Sequence, residues 1–141
     1  VKISDEGLDL IKSFEGLRLE AYMPTPDDVP TIGHGHTKGV TMGMTCTGLQ
    51  ADQWLREDCA EAEECVNKFV RVPLAQNEFD ALVSLTFNIG CGAFKGSTLL
   101  KLLNNADFDG ASLQFLRWNK QAGKELAGLT RRRLAEKELF A

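Results

Sequence analysis

The chain contains no Cys-x-x-Cys pair and only two histidines, His34 and His36, among its 141 residues. Those shortages argue against zinc, whose sites draw on clustered Cys and His ligands, and neither a metal nor a cofactor is expected. Long apolar runs are also missing: none approaches the roughly 18 residues of a membrane-spanning helix, so no stable membrane insertion is expected. No signal peptide is visible, and the first residue is Val1, so a lost initiator Met and a lost leader both stay open. Basic charge is in short supply. Sixteen Lys and Arg against 20 Asp and Glu leave a net charge of −4, which argues against a dedicated nucleic-acid binder. The local exception, Arg131-Arg132-Arg133, reads as the solvated first turn of a last helix in preference to a contact with an anionic polymer. The four cysteines, Cys46, Cys59, Cys65 and Cys91, allow three pairings or free buried thiols, and the sequence does not choose. Only Cys59 with Cys65 is excluded, because six residues along one helix set the side chains too far apart.

What is present suits one domain able to bury a core without metals or disulfides. Ser4 is a natural N-cap; Leu8, Leu10, Ile11 and Phe14 follow at helical spacing, and Gly16 is a stop, which predicts a helix near 5–15. Arg18 to Met23 alternates like a strand. The Pro24-Thr25-Pro26-Asp27-Asp28 run cannot continue a ladder. Thr31 to Gly35 is the return strand, with glycines that suggest close backbone approach by a neighbour or ligand, and Val40 to Met42 suggests a third short strand. From Ala51 to Val70 apolar residues recur every three or four positions as one long amphipathic helix, broken by Pro73. Phe79 to Ile89 is apolar nearly all round and belongs at the centre of a core. Ser97 caps a short helix, Asp109 or Gly110 opens another, and Thr130 caps the last, with Leu134, Leu139 and Phe140 inward. Strands before residue 45 and helices after it predict an α+β fold, with a small β-hairpin lobe at about 16–45, a larger helical lobe of 1–15 and 46–141, and a cleft between them for a long substrate.

The chemistry gathers between Phe14 and Thr37. Glu15 closes the first helix at the base of the hairpin. Partial burial there would keep its carboxyl protonated and able to donate to a leaving oxygen; the bland alternative is an exposed Glu at a helix C-terminus. Asp27 and Asp28 are candidates for a second carboxylate, although Asp after Pro is also ordinary turn chemistry. Thr31 carries a hydroxyl that could hold a water, or is simply a β-branched strand residue. His34 and His36 share parity and either suits an ordinary hydrogen-bonded histidine; His36 reads as a structural partner to a carboxylate rather than a catalytic group. A proton donor on one side of a sugar and a held water or carboxylate on the other are the parts of a glycosidase site, with carboxyls roughly 6.5–9.5 Å apart in inverting enzymes and about 5–5.5 Å in retaining ones.

Glu15-Gly-Leu-Arg-Leu-Glu-Ala-Tyr22 and Pro30-Thr-Ile-Gly-His-Gly-His-Thr37 resemble the active-site segment of phage-type lysozymes, glycoside hydrolase family 24, also called endolysins. Val70 to Gly90, Phe94-Lys-Gly-Ser-Thr-Leu-Leu100 and Gly128 to Phe140 are similar to the family's later segments, in order, so the resemblance covers nearly the whole of 1–141 as one domain. It implies cleavage of the β-1,4 bond between N-acetylmuramic acid and N-acetylglucosamine in peptidoglycan, by a monomer made in the host cytoplasm and acting in the periplasm and cell wall. It implies Glu15 as general acid and Thr31 as the threonine of the return strand. The family's middle acid position falls on Pro24, with one extra residue before Thr31. Moving the acid into the turn gives Asp28, or Asp27 as the alternative. A lytic transglycosylase, which needs a single Glu, and a non-catalytic peptidoglycan-binding module are the competing readings.

Overall fold

The computed structural model describes residues 1–141. The first helix, α1 (Asp5–Glu15), starts where expected: the Ser4 hydroxyl accepts from the Gly7 amide at 3.3 Å, and Asp5 and Glu6 sit in the first turn, where the helix dipole favours acids. It ends at Gly16, whose φ of 72° is left-handed backbone. Two strands follow, β1 (Arg18–Tyr22) and β2 (Thr31–Gly33), antiparallel, with Arg18 opposite Gly33, Tyr22 opposite Thr31 and an irregularity between. The third segment of this ribbon is not 40–42 as expected but 44–46: the Ala21 amide donates to Met44 O at 2.9 Å and the Cys46 amide to Leu19 O at 2.8 Å. Gly39 and Gly43, both at positive φ, turn the chain on either side of 40–42, and Val40 is spent as a core residue beside Ala21 and Ile32.

Helix α2 (Gly48–Phe69) buries Ala51, Leu55, Cys59, Ala62, Cys65 and Val66, the three-and-four spacing read from the sequence. Helix α3 (Gln76–Ile89) is buried without interruption from Phe79 to Thr86 and packs against α7 (Ala127–Phe140). Between them lie α4 (Cys91–Lys95), α5 (Thr98–Asn104), α6 (Phe108–Gln114) and a single 3₁₀ turn at Phe115–Arg117. Ser97 caps α5 by accepting from the Leu100 amide at 3.1 Å. The chain forms two compact units, residues 11–60 and residues 1–10 with 61–141. No helix is long and apolar enough to cross a membrane.

Several expectations after residue 45 are corrected. A second hairpin interrupts the helices: β3 (Lys120–Gln121) pairs with β4 (Lys124–Glu125) through a turn in which Ala122 and Gly123 both have positive φ. Two-residue exposed strands carry no apolar alternation, so only the turn geometry makes them. Helix α6 opens one step earlier than expected, because Asp107 is its cap and accepts from the Gly110 amide at 2.8 Å. Helix α7 likewise begins before Thr130, whose hydroxyl instead accepts from Asn119 Nδ2 at 3.1 Å. Leu134 faces out, 51% exposed.

The arginine run is the largest reversal. Arg131 is exposed, but Arg132 and Arg133 are 4% and 0% exposed. The cause is Glu136, also fully buried, which accepts from Arg132 Nε at 3.2 Å and from Arg133 Nη1 at 2.5 Å, while the Ser84 hydroxyl donates to it as well. Arg133 is completed by the Trp118 carbonyl at 2.9 Å and by Asn88. Burial pushes the Glu136 carboxyl up and the Arg133 guanidinium down from their ordinary values, against the attraction of each for the other. Charges this deep persist only when paired and hydrogen-bonded. The cysteines divide: Cys65 and Cys91 form a disulfide between α2 and α4, with Cα atoms 5.9 Å apart, and Cys46 and Cys59 stay as thiols.

Candidate active site

All the residues singled out for chemistry fall within the 11–60 unit. Glu15, the last residue of α1, is half-buried. Its carboxyl lies against the backbone of residue 35: a Cβ placed on Gly35 would sit 2.8 Å from Glu15 Oε2. Gly33 makes a second close approach, because a Cβ there would lie 3.1 Å from the Ala51 Cβ on α2. Both glycines have positive φ, 66° and 84°, so the return segment needs them for conformation as well as for space. The close approach expected of these glycines is therefore met by α1 on one side and α2 on the other.

Thr31 opens β2 and is 6% exposed. Its hydroxyl donates to Val29 O at 3.0 Å, which commits the proton and leaves the oxygen as an acceptor, the form that can orient a water. Asp27 and Asp28 are both exposed in the turn between the strands. The Asp28 carboxylate accepts from the Val29 amide at 2.8 Å, and the Asp28 amide donates to Thr25 O at 3.1 Å, so Asp28 is fixed within the turn next to the Val29 that also anchors Thr31. Asp28 and Thr31 are thus joined through one residue, and Glu15 meets the same chain segment at Gly35.

The supporting groups were less visible in the sequence. His36 has the structural role expected of it: its Nδ1 is 2.8 Å from Asp58 Oδ2, and its ring stacks on Trp54 with centroids 4.6 Å apart and planes 7° from parallel. His34 is equally buried and is hydrogen-bonded as an ordinary histidine would be: its Nδ1 is 2.5 Å from Gly16 O and its Nε2 is 3.2 Å from Asp52 Oδ1. Asp52 in turn takes Lys12 Nζ at 2.9 Å. The Lys12 hydrogen bond, outweighing partial burial and helped by His34, holds the Asp52 carboxyl below its usual value. The sequence signal for this network was only that His34 and His36 stand two residues apart, just beyond the end of β2. The Arg18 guanidinium lies 4.1 Å over the ring of Tyr22, at the other end of the same strand. No group of three or more His, Cys, Asp or Glu side chains is arranged to hold a metal ion.

A half-buried helix-terminal carboxyl, an antiparallel ribbon and a helical remainder define a lysozyme-like α+β fold. The muramidase domain of SpmX from Asticaccaulis excentricus superimposes with a TM-score of 0.92 at 45% identity, over 99% of this chain and 97% of that one. The sequence model of the family described as phage lysozyme matches residues 12–136. An endolysin of Acyrthosiphon pisum secondary endosymbiont phage 1 is 49% identical across 98% of this chain and 97% of its own length. An endolysin of Bacillus phage PZA is 45% identical across 99% of this chain, which spans 55% of that longer relative. The chain belongs to the phage lysozyme family.

Proposed function

We propose that the chain is an endolysin, a muramidase that hydrolyses the β-1,4 bond between N-acetylmuramic acid and N-acetylglucosamine in peptidoglycan and lyses the host cell. Glu15 protonates the leaving oxygen. Thr31 holds the attacking water by its free acceptor lone pairs, and Asp28, with Asp27 as the alternative, takes the proton that the water loses. The observation that carries the reading is the Glu15 carboxyl seated on the Gly35 backbone of the segment that also carries Thr31. We read residues 1–141 as a single domain working as a monomer, with a β lobe of about 16–45 and a helical lobe of 1–15 and 46–141. In this reading the chain is made in the host cytoplasm and acts in the periplasm and cell wall, where its substrate lies. Nucleic acid is not a partner in this reading, which the net charge of −4 and the burial of Arg132 and Arg133 support.

The test is digestion of purified peptidoglycan by the wild-type chain and by Glu15→Gln, followed by turbidity and by mass spectrometry of the fragments. Glutamine keeps the shape and removes the acidic proton, so the variant should fold normally and lose about 10²–10⁴-fold in rate. Hydrolytic products carry one added water and a reducing end. Anhydro products, lacking that water, would assign a lytic transglycosylase instead; binding without any fall in turbidity would leave a wall-binding module. Full activity of Glu15→Gln would remove Glu15 from the reaction.

A further inference from the structure

The chain doubles back so that residues 34–35 lie against residues 15–16 by two contacts. The Gly35 backbone receives the Glu15 carboxyl, and the His34 ring receives the Gly16 carbonyl. We infer that His34 is a positioning residue for Glu15, through the hydrogen bond from its Nδ1 to Gly16 O; this rests on the reading of Glu15 as proton donor.

The argument starts from the end of α1. The last carbonyls of a helix have no partner within it and must find one outside. The Gly16 amide still closes the final turn onto Lys12 O at 2.9 Å, but φ of 72° swings the chain out of the helix there, and the Gly16 carbonyl takes its donor from His34. A carbonyl only accepts, so Nδ1 carries hydrogen in this arrangement. The carbonyl of the residue immediately after Glu15 is thereby bonded to the residue immediately before Gly35. A histidine side chain near a helix C-terminus is suited to this by its donor.

The other side of the ring fixes where His34 stands. Its Nε2 faces Asp52 Oδ1 on α2, and the same oxygen takes Lys12 Nζ from α1. Ala51, the residue before Asp52, packs on Gly33, the residue before His34. The final turn of α1, the start of α2 and the return segment are therefore closed into one ring of contacts: Lys12 to Asp52, Asp52 to His34, His34 to Gly16, and Gly16 back to Lys12. Glu15 is carried inside that ring. Thr31 lies on the same return segment, so a slip between residues 15–16 and 34–35 changes the separation of proton donor and water holder. An error of about 1 Å in such a pair costs on the order of 10²-fold in rate.

Two substitutions separate this role from simple support of the fold. The amide nitrogen of asparagine stands close to where Nδ1 stands in histidine, and that of glutamine close to Nε2. His34→Asn keeps the donor to Gly16 O and gives up Asp52; His34→Gln does the reverse. Initial rates on soluble glycan fragments, taken well below each variant's melting midpoint, should show His34→Gln and His34→Ala reduced about 10- to 100-fold in kcat with KM within twofold of wild type, and His34→Asn within about threefold of wild type in both. Wild-type kcat in His34→Gln, or an equal loss in Asn and Gln, overturns the inference. So does a fall in melting midpoint with kcat unchanged, which would make His34 a support of the fold alone. If His34→Ala does not fold, the Asn and Gln pair decides. Inactivity of the wild-type chain itself is a different failure, that of the glycosidase reading.

Discussion

Oε2 of Glu15 stands 2.8 Å from the point where a side chain on residue 35 would begin. Gly35 is thus a condition for the carboxyl's present seat. An alanine there carries two burdens. Its φ of +84° strains any L-residue, at roughly 1–2 kcal/mol. Its methyl also displaces the carboxyl, which is the mobile end of a flexible side chain and gives way more readily than backbone. Gly35→Ala should therefore lose kcat by about 10²-fold or more, beyond its loss of stability. Gly39 separates the two effects, since its φ is +70° and nothing lies within 4 Å of a Cβ there. Gly39→Ala should show a comparable drop in melting midpoint with kcat intact. Equal kcat in the two alanine variants would mean that the carboxyl works from another position.

The turn aspartates differ in how firmly they are held. Asp28 accepts from the Val29 amide, and Val29 O takes the Thr31 hydroxyl. Asparagine at 28 keeps the accepting oxygen and so the turn, while removing the charge needed to take up a proton. Asp28→Asn should lower the hydrolysis rate by about 10²-fold with an unchanged melting midpoint, and Asp27→Asn should stay near wild type. The opposite pattern moves the role to Asp27. Two active variants would end the two-carboxylate scheme and leave Glu15 with the water held by Thr31.

Asp52 is the acid beside the site whose titration is displaced, and the sign of its effect follows from Lys12. The hydrogen bond from Lys12 holds the carboxyl below its value of 3.8 in the unfolded chain. The folded state therefore binds fewer protons near that pH. Its contribution to stability is complete above the unfolded value and is lost as pH falls through the lowered folded one. The side chain is 42% exposed, so solvent screens the pair and the contribution is small. A direct readout is the carboxyl carbon resonance. In Lys12→Met the Asp52 titration should move up towards 3.8, and an unmoved midpoint would show that Lys12 is not the cause.

Legibility in the sequence tracked how local each determinant is. Ser4, Gly16 and Ser97 act on amides within a few residues, so caps and stops stood where the pattern put them. The apolar run of α3 read as core because no polar face competed for it. Some failures were local, the Asp107 cap and the Ala122-Gly123 turn among them; the arginine and cysteine failures turned on partners farther along the chain. Arg132 and Arg133 look like a solvated run until Glu136, Ser84 and Asn88 are brought around them. Cys65 could be told from Cys59 only by the placement of Cys91. At the site, Glu15 and Thr31 could be proposed as types in an order, whereas the partners of His34 could not: Gly16 and Asp52 lie 18 residues away on either side.

The disulfide ties the working place of the chain to its stability. Cys65 and Cys91 are 26 residues apart and join α2 to α4 around the whole of α3. Closing a loop of that length removes freedom from the unfolded chain worth about 3.5 kcal/mol on the chain-entropy scale. Thiols stay reduced in a bacterial cytoplasm and oxidise in the periplasm, so on the proposed route the chain gains this stability as it reaches its substrate. Cys46, the half-buried thiol, lies in the 11–60 unit and takes no part in the bridge. Urea unfolding with and without reductant should show a higher midpoint for the oxidised chain, and Cys91→Ser should match the reduced wild type under both conditions. Identical midpoints for oxidised and reduced wild type would mean that the bridge adds nothing to stability, and that packing around α3 already restricts the chain as much as the covalent link does.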